Sequence, residues 1–133
     1  MANRPIYPDT IKNAALDIEN ADGTTKQTLL TAGSGGARVG SIGAVSDDTS
    51  AVILDIFYND GTSDFLLGSV NIPTLSGTDG STPAVALLNS TDLPFLNEDL
   101  CFFLEAGDSI KIAPHNAVTS AKKVTLVAQY GDY

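Results

Sequence analysis

"AVILDIFYNDGTSDFLLGSVNIP", residues 51–73, holds two apolar runs separated by a turn, and its reading decides the fold. In the first run Val52, Leu54, Ile56 and Tyr58 fall on one side of an extended chain while Asp55 interrupts the other. That period of two is expected of a half-buried strand. "NDGTSD" (59–64) has hairpin-turn composition, and "FLLGSVNIP" resumes the apolar run beyond it. A hairpin with one apolar face needs a second layer to cover it, which points to packed antiparallel sheets.

The same grammar extends in both directions. Upstream, "RVGSIGAVS" reads as a glycine-broken strand and "TKQTLLTA" leads into the loop "GSGG" (33–36). "AALDIEN" sets Leu16 and Ile18 against Asp17 and Glu19, a strand pattern, although Ile11, Ala14, Ala15 and Ile18 would also line one helix face. Downstream, "TLSGTDGSTPA" (74–84) is the longest region of turn composition. "VALLNS" and "LCFFLEA" read as strands around "TDLPFLNED", "SIKIAP" follows the "AGD" turn, and "VTLVAQY" places Val124, Leu126, Ala128 and Tyr130 on one face. About eight strands and no helix longer than a turn predict an all-β, antiparallel two-sheet β-sandwich of jelly-roll type over 14–133. Residues 1–13, with Pro5 and Pro8, read as an extended N-terminal arm whose apolar tip is Ile6 and Tyr7.

Composition narrows the function classes. The 133 residues suit one domain with a real core. A formal charge of −9, from 16 acidic against 7 basic residues, repels phosphate backbones and anionic lipid, so neither nucleic acid nor membrane is an expected partner. Cys101 lies in an apolar run and reads as a small buried hydrophobe. "MANRPIYPDT" lacks the apolar core of a signal peptide, which makes a cytoplasm the expected place of synthesis.

Motif by motif, chemistry fails on its details. "GSGGARVGS" places Ser41 where a phosphate loop needs lysine, and Arg38 stands where the dinucleotide pattern needs a third glycine. Ser34 is preceded two residues earlier by Ala32 rather than glycine, against a nucleophile elbow, and a Ser34, Asp92, His115 triad would rest on a single loop histidine. "DIENADG" (17–23) has Ala21 where a calcium loop needs an oxygen ligand, and the pairs Asp47/Asp48 and Asp60/Asp64 flank one strand at opposite ends. The chain has no Trp for a sugar platform. No catalytic, cofactor or metal residue is therefore assigned. Gly33, Gly35 and Gly36 read as a structural turn that lets one strand cross to the opposite sheet, with Gly35 or Gly36 at positive φ.

Four phrases, "NADGTTKQTLLTAGSGGARVGSI", "DGTSDFLLGSVNIP", "LEAGDSIKI" and "VTLVAQYGDY", together resemble small structural proteins of tailed bacteriophages. The resemblance runs from about Asn20 to the end. It implies a β-sandwich on the virion, made in the host bacterial cytoplasm and placed on the outer capsid as a decoration, or cement, protein. It also implies the major capsid protein as partner and self-association as a homotrimer or other symmetric cluster. Arg4, Ile6 and Tyr7 of the arm are the expected contacts with a neighbouring subunit. The alternative role is a tail or fibre module that touches a host receptor through a loop within 74–83.

Overall fold

The hairpin read from residues 51–73 forms β4 (Val52–Asn59) and β5 (Asp64–Ile72), with Val52 opposite Ile72 and Asn59 opposite Asp64. Its turn is closed locally: Asn59 Oδ1 accepts from the Gly61 amide at 2.8 Å, and Asp60 Oδ1 accepts from Thr62 and Ser63. The computed structural model describes residues 8–133. Seven further strands surround the hairpin: β1 (Thr10–Glu19), β2 (Gln27–Thr31), β3 (Ala37–Ser46), β6 (Val85–Ala86), β7 (Phe102–Leu104), β8 (Ser109–Pro114) and β9 (Lys123–Asp132).

The pairings make the first half of the chain an antiparallel partner of the second. β1 runs against β9, β2 against β8, β3 against β6 and β7, and β4 against β5. Rolling this long ribbon brings β9 beside β3 and β8 beside β4. The result is one sheet in the order β1-β9-β3-β6, with β7 also on β3, facing a second in the order β2-β8-β4-β5. That is the jelly roll expected from the sequence.

Strand alternation fills the space between the sheets. Ile18, Val39, Ile42 and Leu126 enter from one side, and Leu54, Ile56, Ile110 and Ile112 from the other, each at most 2 % exposed. Among the described residues no buried side-chain nitrogen or oxygen lacks a partner. Asp48, at the end where β3 turns into β4, shows how: its carboxylate accepts from the Thr119 amide, the Thr119 hydroxyl and the Ser50 amide at 2.9, 2.7 and 2.8 Å. Burial pushes this carboxyl up, but those donors and the nearby Lys122 outweigh burial and leave it below its ordinary value.

Two details differ from the sequence reading. The boundary expected between residues 13 and 14 falls inside β1, because Thr10–Asn13 pair with Gln129–Asp132. Within β1 the strand pattern of Leu16 and Ile18 holds, and Ile11 and Ala15 lie on the outer face, not beside Ile18 on a helix face. "VALLNS" and "LCFFLEA" shrink to two and three paired residues. Just past β6, Leu87 still donates its amide to Ile42 O of β3 at 2.8 Å, and in the connection that follows Leu93 fills the space above Gly68.

Candidate interface at one end of the sandwich

The connections 32–36, 60–63 and 105–108 meet at one end of the sandwich with the last residues of β9. Here Gly33, Gly35 and Gly36 carry the chain from β2 in the four-stranded sheet to β3 in the five-stranded one. Gly36 has φ +83, and a Cβ on it would sit 2.6 Å from Leu104 O. A Cβ on Gly35 would run into Tyr133 O, and one on Gly33 would lie 2.9 Å from Asp132 Oδ2. At these three positions the crossing therefore leaves no room for a Cβ, at Gly35 and Gly36 because another stretch of backbone lies against it. Asp132 secures it, accepting from the Gly33 amide at 3.1 Å and pairing with Lys12 Nζ at 2.6 Å. Burial alone would raise the Asp132 carboxyl; the Lys12 and Gly33 contacts hold it below its ordinary value.

Strand parity places an unusual set of side chains on the outside of this end. One row across the outer face of the five-stranded sheet reads Ile11, Gly131, Arg38, Phe103. Ile11 is 87 % and Phe103 56 % exposed, and Pro8 packs against Gly131, where a Cβ would collide with it. Around the corner Phe95, Phe102, Tyr58 and Phe65 form a chain of ring contacts with centroids 6.5, 6.0 and 6.1 Å apart, joining the edges of the two sheets. Leu66 continues it onto the other outer face. Of the seven large apolar side chains exposed among the described residues, five belong to this belt: Ile11, Phe65, Leu66, Phe95 and Phe103. The remaining two, Ile53 and Val127, stand apart from it.

Tyr58 anchors the belt to the core. Its hydroxyl donates to Asp108 Oδ2 at 2.7 Å, and the same oxygen accepts from the Glu105 amide at 3.1 Å. This hydrogen bond, then burial and the surrounding carboxylates, push the phenol up to about 12. The cations near the belt are already engaged: Arg38 with Asp99 at 3.7 Å, and Lys26 and Lys111 both with Asp64 at 3.1 and 3.7 Å. Asp60, Glu98 and Glu105 have no cation partner among the described residues. The rim of the belt is thus acidic.

Arg4, Ile6 and Tyr7 lie outside the described residues; Pro8, the first described residue, packs on Gly131. The weighed triad does not assemble. Ser34 lies in the loop at the belt end, Asp92 accepts from Asn89 at 2.9 Å, and His115 lies at the opposite end beside Asp55, with Nδ1 3.3 Å from Oδ2. In "DIENADG" the Asp22 carboxylate accepts from the Glu19 amide at 2.8 Å and closes a capping box on one turn of 3-10 helix. The loop 74–83 also lies at the far end, where Asp79 accepts from Ser81 and Thr82 and the Thr78 hydroxyl donates to Ser46 O. Cys101 is buried, as expected. Sequence reasoning missed Ile11, Phe65, Leu66, Phe95 and Phe103; the adjacent rings of "CFFL" were the one available signal, since neighbours in a strand cannot both face the core.

No protein-family model matches the chain, and no curated protein matches it. Among solved structures, the chain is similar to one in the acidic stable capsid structure of Helicobacter pylori bacteriophage KHP30. The two are 14% identical with a TM-score of 0.60, over 92% of this chain and 88% of that one. A chain in the cyanophage Pam1 capsid asymmetric unit aligns over 98% of this chain and 89% of its own, at 17% identity and a TM-score of 0.47. With the KHP30 capsid chain this protein shares its fold, a rolled antiparallel β-ribbon along nearly its whole length.

Proposed function

We propose that this chain is a structural protein of a tailed-bacteriophage virion and that it decorates the outer capsid. The observation that carries the reading is the fold shared with the KHP30 capsid chain over 92% of the residues. The apolar belt supports it, since a solvent-facing row of Ile and Phe is stabilised by burial against another subunit. Its partners in this reading are the major capsid protein and further copies of itself in a symmetric cluster. The role is mechanical and not enzymatic: contact area spread across several capsid subunits raises the free energy needed to separate them. Arg4, Ile6 and Tyr7 extend that contact from the arm. The loop 74–83, whose sequence contains no aromatic residue, gives no comparable support to receptor binding.

Quantitative mass spectrometry of purified virions tests this. A decoration protein is expected in hundreds of copies per particle; a count of a handful to a few tens would move it to the tail. Particles stripped of the protein supply the second test. The full chain re-decorates them, and a chain lacking residues 2–7 re-decorates them more weakly; equal binding would confine attachment to the sandwich.

A further inference from the structure

We infer that the apolar belt is a docking surface for a basic protein segment, one in which Lys or Arg alternates with apolar side chains. The inference deepens the proposed virion role and rests on it for the identity of the partner, but not for the chemistry.

Charge decides between possible occupants. The segment 89–108, which carries Phe95, Phe102 and Phe103, also carries Asp92, Glu98, Asp99, Glu105 and Asp108, and it holds no Lys or Arg. Glu105, Asp108 and Asp60 all lie close enough to act on the Tyr58 hydroxyl. Arg38 is the cation nearest Phe103; its guanidinium carbon lies 5.9 Å from the ring centroid and its charge is shared with Asp99. A second copy presented belt to belt would set one acidic rim against another, at a net charge of −9 on each chain. A segment with basic residues between its apolar anchors would bury the rings of Phe95 and Phe103 while pairing with Glu98 and Glu105. The edge of the sheet offers it backbone as well: among the described residues β5 pairs only with β4, and no other backbone group there bonds Asp64–Ile72.

The test uses the full chain and two eight-residue probe peptides, one of alternating lysine and leucine and its glutamate counterpart. The lysine peptide is expected to shift amide resonances of residues 65–66 and 95–105, and the glutamate peptide to shift none. Charge reversal by Glu98→Lys with Glu105→Lys is expected to weaken the lysine peptide about tenfold, the combined effect of two exposed ion pairs. The same reversal at the far end, Asp22→Lys with Asp79→Lys, should leave its binding within about twofold, because separated surface charges are screened at physiological salt. Equal binding of the two peptides, shifts spread over the far end, or equal loss in both reversals would overturn the inference. So would a concentration-dependent dimer that disappears in Phe95→Ser with Phe103→Ser, which would make a second copy the occupant. Re-decoration of stripped particles separates the two levels. If the lysine peptide behaves as expected but Phe95→Ser with Phe103→Ser re-decorates like the parent, the docking chemistry stands and the capsid is not its partner.

Discussion

Gly36 combines the two conditions under which a side chain is excluded, a φ of +83 and a carbonyl oxygen 2.6 Å from where Cβ would stand. Gly36→Val therefore costs more than about 1 kcal/mol by chemical denaturation, through backbone strain added to the collision. Unchanged stability would mean that the crossing relaxes freely. Tyr58 gives a second single-residue outcome. Its phenol is pushed up to about 12 from an ordinary value of 10.0, so the folded chain holds this proton more tightly than the unfolded one. The resulting stabilisation is fully present below pH 10 and is lost as pH rises from 10 through about 12. Ultraviolet titration of the four tyrosines should show one ionising last, and Tyr58→Phe should remove that late step.

At the scale of elements, the open edge between β5 and β7 is closed by a loop instead of a strand. Leu93 is fully buried, and its Cδ2 lies 2.6 Å from where a Cβ on Gly68 would be. Leu93→Ala is expected to cost about 2–5 kcal/mol, as for other large-to-small core changes. Gly68→Ala alone should cost about 1–3 kcal/mol by overpacking, and markedly less in the Leu93→Ala background, where the methyl group enters the vacated space. Additive costs in the double-mutant cycle would show that the two residues do not share that space. The same loop brings Phe95 to the belt, so the plug and the proposed docking surface are two faces of one connection.

Over the whole molecule, the ribbon joins the two ends of the chain: Thr10 pairs with Asp132 and Glu19 with Lys123. Closing so long a loop carries its entropic cost before most contacts form, so refolding is expected in the millisecond-to-second range of all-β sandwiches. A microsecond refolding phase carrying the full amplitude would contradict this. Ion pairing at the ribbon's end contributes little by comparison. Lys12, 45 % exposed at its side chain, is largely solvated, and Lys12→Ala should shift the denaturation midpoint only slightly, far less than Gly36→Val.

The sequence by itself determined the parts of the fold that depend on local chemistry. Alternation in 52–58 and 124–130 specified strands with a definite inner face, and glycine at 36 together with "NDGTSD" specified turns, because backbone sterics act within a few residues. Counting strands and turns led to about eight strands in a two-sheet jelly-roll class, while their order and pairing came only with the tertiary structure. Only the tertiary structure decided where β1 begins, since Thr10–Asn13 become a strand through pairing with Gln129–Asp132, more than a hundred residues away in sequence. It also decided that Leu87, read from "VALLNS" as strand, is buried just past a two-residue strand, and that Leu93 of the "TDLPFLNED" connection is buried in the core. The belt belongs to this second class. Ile11, Phe103, Phe95 and Phe65 come from four separate segments, and each alone reads as an ordinary apolar residue. Their shared surface exists because the rolled ribbon brings those segments to one end and its strand register turns Ile11 and Phe103 outward.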